Sequence, residues 1–204
     1  MRLKLAIVLV ILILLVGCSK QEVVEQEQQP LQGEVEELPK VLFIIAQEGF
    51  RDEELLRPKR ILENAGIDVE VASITTDLAR GVLGAEVVPD LSTKDANADD
   101  YEYIIVVGGP GSPTLLDYLE VLDLVSNAKN TAAICLGPMV LAKAGVLEGK
   151  RATVFKSDDS LAALEEGGAE FVDQSIVVDG SLVTANGPEA ADQFGQKLVE
   201  MIKG

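Results

Sequence analysis

The chain has no histidine. No imidazole can therefore activate a serine or cysteine nucleophile, from this chain or from a second copy of it, and Ser-His and Cys-His pairs are excluded. Cysteine is nearly as scarce: Cys18 and Cys135 are the two. Two thiols without histidine leave no ligand set for structural zinc. Positive charge is short as well, with 17 Lys and Arg against 34 Asp and Glu and a net charge of −17. Without a basic footprint to meet phosphates, no nucleic-acid partner is expected. The acidity otherwise serves solubility. Phosphate-binding loops are missing too, since "VVGGPGSP" is an incomplete G-x-G-x-x-G and no Gly-Lys-Ser/Thr follows it.

What is there begins with a leader. Arg2 and Lys4 precede "LAIVLVILILLV" (Leu5–Val16), a purely apolar run. At 1.5 Å per residue it reaches about 18 Å, short of a roughly 30 Å hydrocarbon core, and its length and flanks are those of a signal-peptide h-region. It ends in "LVGC", which resembles the lipobox of bacterial-type lipoproteins. Residues 1–17 are thus expected to be a signal peptide, with cleavage after Gly17 and acylation of Cys18; an uncleaved anchor with an incidental cysteine is the alternative. Either way the globular part is expected outside the cytoplasmic membrane, anchored to a cell membrane.

Residues 18–39 carry the lipidated cysteine and a Gln- and Glu-rich stretch punctuated by Pro30, Gly33 and Pro39. It cannot bury enough apolar surface to offset its ordering entropy and reads as a flexible acidic tether. The remainder, 40–204, suits one domain. If Cys18 is acylated, Cys135 has no disulfide partner within the chain.

Within that domain apolar runs alternate with helical patterns. "KVLFIIA", "YIIVV" and "TAAIC" are buried strand types, and "DVEVASI" alternates as a strand. "QEGFRDEELLRP" reads as an acidic loop, and "KRILENAG" places Ile61, Leu62 and Ala65 on one helical face. "RGVLGAEVVPD" is a short β excursion. A helix around Leu161–Glu166 precedes the hairpin "SIVVDGSLVTA", turned at Asp179-Gly180, and an amphipathic helix carrying Phe194, Leu198, Val199 and Ile202 closes the chain. Near-continuous apolar strands separated by helices imply a mostly parallel sheet covered on both faces. The expected fold is a single doubly wound α/β domain of flavodoxin-like type.

In such sheets ligands bind beyond the carboxyl ends of the strands. Cys135 lies between a buried strand and a helix opened by Gly137-Pro138, the layout of a nucleophile elbow. The start of that helix favours thiolate over thiol. The competing reading is a free cysteine acting as a small buried hydrophobe. The glycines of "VVGGPGSP" form a turn with unusual dihedrals, or let the Gly109 amide join that of Leu136 in an oxyanion hole. Glu53 and Glu54 complement a helix start that Asp52 could cap, or one of them reaches Cys135 as a desolvated carboxyl that keeps its proton and relays it.

In order along the chain, "KVLFIIAQEGFRDEELLRP", "YEYIIVVGGPG", "AAICLGPMVLAKAGVLEGKRAT" and "LVTANGP" resemble the ThiJ/PfpI superfamily, which includes PfpI-type peptidases and protein deglycases. The resemblance covers essentially all of 40–204. It implies that Cys135 is the elbow cysteine and that Glu54, four residues before Pro58, is its partner carboxylate. It puts Gly109 and the Leu136 backbone on the oxyanion positions and Asn186, of Asn186-Gly187-Pro188, in a loop near the pocket. It also implies a homodimer. One departure matters: PfpI-type peptidases carry histidine directly after the cysteine, where this chain has Leu136. A Cys-His-acid triad is therefore impossible, and intrinsic proteolysis is hard to defend.

The expected function is glyoxalase- or deglycase-like chemistry by the Cys135–Glu54 pair on small electrophilic carbonyls or on modified proteins and peptides, with no metal or other cofactor. Alternatives are a non-catalytic redox sensor or stress-related, chaperone-like protein, and an envelope binding protein in which the elbow persists only as architecture.

Overall fold

A computed structural model describes residues 38–204. The expected signal peptide, Cys18 and nearly all of the expected tether lie outside the described residues. In chain order the first six strands are β1 (Lys40–Ile44), β2 (Glu48–Phe50), β3 (Asp68–Ser73), β4 (Ala79–Gly81), β5 (Glu86–Val87) and β6 (Leu91–Ser92). They are followed by β7 (Tyr103–Val106), β8 (Thr131–Ile134), β9 (Arg151–Ala152), β10 (Glu170–Phe171), β11 (Ile176–Asp179) and β12 (Leu182–Ala185). The α-helices are α1 (Asp52–Asn64), α2 (Leu119–Ser126), α3 (Pro138–Lys143), α4 (Asp158–Glu166) and α5 (Ala191–Lys203).

Seven strands form the central sheet in the order β11-β12-β8-β7-β1-β3-β6, parallel throughout except for β11 against β12. Alternate side chains of β1 leave on opposite faces, and each face has its own core. Val41 and Phe43 join Leu55, Leu62, Phe194 and Leu198 of α1 and α5. Leu42 and Ile44 join Val121, Val125, Leu141 and Leu164 of α2, α3 and α4. This double burial is why the central strands read as unbroken apolar runs, and it makes the doubly wound α/β expectation correct.

Three local expectations are corrected. The stretch read as an acidic loop is not one: Glu48–Phe50 is β2, and α1 starts at Asp52 and runs through Pro58. Proline inside a helix removes one donor, here the bond to the Glu54 carbonyl four residues back. Packing compensates, because Pro58 is buried against a helix whose Gly195 would bring a Cβ within 2.9 Å of the Pro58 Cα. Asp52 does not cap α1 either. Arg51 occupies the N-cap without a side-chain bond, and the Asp52 carboxylate accepts the Leu83 and Ala85 N–H groups at 2.8 and 2.6 Å. It pins the β4–β5 turn to the helix start. Finally, Asp179 pairs with Leu182, so the hairpin turn consists of Gly180 and Ser181.

Candidate functional site

The carboxyl ends of β1, β7 and β8 lie side by side, with Ile44 opposite Val106 and Val106 opposite Ala133. The segments leaving them converge: the turn into α1, the Gly108-Gly109 turn and Cys135. The Arg51 amide donates to the Gly108 carbonyl at 3.0 Å, which fixes the start of α1 against the glycine turn.

Cys135 has φ 60 and is, among the described residues, the sole non-glycine residue with positive φ. A left-handed conformation at such a residue costs about 1–3 kcal/mol and persists where the surroundings over-determine it. Here both of its peptide groups are held: its N–H donates to the Ala185 carbonyl at 2.8 Å, and its carbonyl accepts the Phe155 N–H at 2.8 Å. The elbow expected from sequence is present, directly before α3. Gly137 is needed there, since a Cβ would lie 2.3 Å from the Val106 carbonyl oxygen.

Glu54, in the first turn of α1, is fully buried. Its carboxyl faces the Cys135 sulfur and the Gly108 amide, yet neither oxygen has a fully formed hydrogen bond. Burial pushes this carboxyl up to about 7, against the opposing pull of the Cys135 thiol, the Arg51 charge and the Gly108 N–H. The two side chains meet over Gly108, whose Cβ would fall 2.5 Å from the Cys135 Cβ and 2.6 Å from Glu54 Oε2. Gly109 is equally confined: it has φ 107, and its Cβ would stand 2.4 Å from the Gly49 carbonyl oxygen.

The expectation that the α3 start would favour thiolate is overturned. Burial, and after it the Glu54 charge, pushes the Cys135 thiol up to about 12, while hydrogen bonds from the Gly109 and Leu136 amides pull the other way. A six-residue helix and two amides do not outweigh desolvation beside a carboxylate. Glu54 and Cys135 form one coupled unit. When the carboxyl is charged the sulfur holds a proton, and when it is neutral that repulsion is gone.

A cavity of about 270 Å³ opens over this pair, lined by Arg51, Glu54, Gly109, Cys135, Leu136 and Phe155 and flanked by Pro110 and Pro188. The structure thus brings together Cys135, Glu54, Gly109 and Leu136. It does not bring Asn186 among them: Asn186 lines an adjoining cavity of about 390 Å³. Glu53 points elsewhere, pairing with Arg51 at 2.8 Å. Two site residues escaped the sequence reading. Phe155 is held by its backbone bond to Cys135, and Arg51 sits on the cavity wall; only tertiary contacts identify either. Among the described residues no group of three or more His, Cys, Asp or Glu could hold a metal ion.

Comparison with known proteins gives a match to the model of the DJ-1/PfpI family over residues 39–201. The glutathione-independent glyoxalase DJR-1.2 of Caenorhabditis elegans is 28% identical over 167 residues, 80% of this chain and 88% of the relative. Deglycase PfpI of Pyrococcus furiosus is 30% identical over 170 residues, 80% of this chain and 99% of the relative. Among solved structures, a ThiJ/PfpI domain protein from Brachyspira murdochii superposes with a TM-score of 0.77 at 29% identity, covering 82% of this chain and 98% of that one.

Proposed function

The chain belongs to the DJ-1/PfpI family, and from that premise we propose that it is a cysteine-dependent enzyme acting on 2-oxoaldehydes or on the adducts they leave on amines and thiols. The observation that carries this is the buried Glu54 carboxyl facing the Cys135 sulfur, with a proton affinity lifted to about 7. A carboxyl with that affinity can give and take a proton near neutrality, the task an imidazole performs elsewhere. The glyoxalase and deglycase names of relatives near 30% identity support the same class of chemistry.

The steps balance without an external redox partner. The Cys135 sulfur attacks the aldehyde carbon; the carbonyl electron pair moves to oxygen, which takes the proton shared by the pair, giving a hemithioacetal. The Gly109 and Leu136 amides, already directed at the sulfur, can hold the developing oxyanion beside it. Glu54, now carboxylate, removes the C–H proton and returns it to the neighbouring carbon, so one carbon is oxidised and the next reduced. Water then hydrolyses the resulting thioester to a 2-hydroxy acid and restores the thiol. For an adduct, the carrier amine or thiol leaves with a proton. The apolar Leu136, in place of the peptidase histidine, leaves Glu54 as the proton carrier at the sulfur.

Turnover of methylglyoxal by the wild type, Cys135→Ser and Glu54→Gln tests this. Loss in both variants supports it, and equal rates in all three overturn it. The amides at the sulfur also favour a second reading, a redox sensor: two equivalents of hydrogen peroxide would convert the thiol to sulfinic acid, releasing two waters. Intact mass after mild peroxide treatment checks it, since an unchanged mass excludes it. The proposal also places the domain outside the cytoplasmic membrane on a lipid at Cys18, supported by the apolar run ending in "LVGC".

A further inference from the structure

β6 ends the central sheet on the side away from Cys135, with β7, β1 and β3 between it and β8. Beyond it a cavity of about 400 Å³ opens between the segment that follows β6 and one face of α2. Glu120, Asp123, Leu124 and Asn127 line it from the helix, at the i, i+3, i+4, i+7 spacing that puts side chains on one stripe. Thr93 and Asp99 line it from the segment. Ala98 and Leu124, both buried, supply its apolar part.

Among the described residues five buried side-chain oxygens have no hydrogen-bond partner: both of Glu54, Ser112 Oγ, Thr93 Oγ1 and Glu120 Oε1. The first two belong to the reactive pair. The last two belong to residues that line this one cavity. Thr93 is 1% exposed, and its N–H donates to the Ser73 carbonyl at 2.8 Å, which holds it beside β3. Buried polar atoms are nearly always partnered, and a carboxylate oxygen is satisfied only by a donor. The cavity's own cation does not supply one. Lys94 Nζ stands 3.9 Å from Glu120 Oε1, past hydrogen-bond reach, on a side chain 71% exposed.

The remaining charge narrows the kind of donor. Asp99 and Asp123 add two carboxylates that pair with no cation among the described residues. Yet no three acidic groups there are placed to hold a metal ion. Negative charge that is plural but spread out matches a ligand whose positive charges are spread as well. Ammonium groups joined by methylenes have that form, each ammonium with three donors and each stem apolar. A linear triamine of about ten heavy atoms takes roughly 300 Å³ at the share of volume a water has in the liquid, within the 400 Å³ present.

We propose that this cavity is a binding site for an aliphatic polyamine. One ammonium donates to Glu120 Oε1 and Thr93 Oγ1, the methylenes lie on Leu124 and Ala98, and a further ammonium faces Asp99 or Asp123. The site is independent of the chemistry at Cys135.

Calorimetric titration of the full chain in non-ionic detergent, at about 0.15 M salt to screen diffuse attraction to the acidic surface, tests this. Spermidine should fill one saturable site. Butylamine, with a single charge, should bind at least about fivefold more weakly, the value of one exposed charge pair. Glu120→Gln should weaken spermidine binding by about tenfold, since hydrogen bonds between charged groups are the stronger kind, and Thr93→Val by about fivefold with no change of charge. The comparison of the two amines on the wild type decides the ligand class without any variant. Absence of saturation, equal affinity for butylamine, or an affinity for spermidine unchanged in either variant overturns the site.

Discussion

Glu54 and Cys135 face each other across a space that exists because residue 108 has no side chain. A Cβ there would stand 2.5 Å from the Cys135 Cβ, 2.6 Å from Glu54 Oε2 and 2.7 Å from the Ile134 carbonyl oxygen. Two of these three neighbours cannot rotate away, so the glycine sets the separation of the carboxyl from the sulfur.

Gly108→Ala is therefore expected to push α1 away from the elbow. Overpacking of this kind costs about 1–3 kcal/mol, which urea unfolding would read as a lower midpoint at unchanged slope. Methylglyoxal turnover should fall by more than tenfold.

Stability should depend on pH through Glu54. Its carboxyl holds a proton up to about pH 7 when folded, against an ordinary value of 4.5. Between those values the folded state binds more protons than the unfolded one, so stability falls as pH rises through the window. The contribution is on the order of 3 kcal/mol across it. Thermal unfolding of wild type and Glu54→Gln at pH 4.5, 6 and 8 checks this: the variant should lose this part of the slope and be relatively most stabilised at pH 8.

The thiol should titrate late in the wild type and earlier without the carboxylate. Removing the Glu54 charge removes the second cause of the Cys135 shift. In Glu54→Gln, iodoacetamide labelling of Cys135 at pH 8 should speed up by about tenfold, one unit of pKa. An unchanged rate would mean that burial alone holds the proton.

Much of this arrangement was legible in the sequence, and the reasons differ by residue. The elbow was readable because a buried strand, a cysteine and Gly137-Pro138 leave few ways to turn. Glu54 was readable through its family resemblance; from the residues alone Glu53 was as good a choice, and the fold separates them by burying Glu54 at Cys135 and pairing Glu53 with Arg51. Pro58 misled, because a proline that a helix tolerates is indistinguishable in sequence from one that stops it. The protonation state of Cys135 was misjudged because a helix start is visible in sequence and desolvation is not. Phe155 left no signal, since its position comes from a backbone bond to Cys135.

Asp52 offers a control next to the site. Its carboxylate holds the Leu83 and Ala85 amides and takes no part in the proposed proton relay. Asp52→Ala should cost about 1–3 kcal/mol by leaving those donors without their acceptor. Amide exchange at Leu83 and Ala85 should quicken before that of the central sheet.

The lipid proposal is testable in cells. An alkynyl fatty acid should label the full chain, and Cys18→Ala should abolish both the label and sedimentation with membranes. Labelling that survives the substitution would remove the anchor from the reading.

The bonds that hold Cys135 in its left-handed turn come from residues made after it: Phe155, and then Ala185 at the end of β12. A ribosome that has just released Cys135 has not yet synthesised either partner. Without β12 beside β8, the Cys135 N–H lacks the Ala185 carbonyl that accepts its bond. A chain cut short before Leu182 is therefore expected to carry the sulfur without one of the two bonds that hold its turn, and so without the geometry on which the proposed chemistry depends.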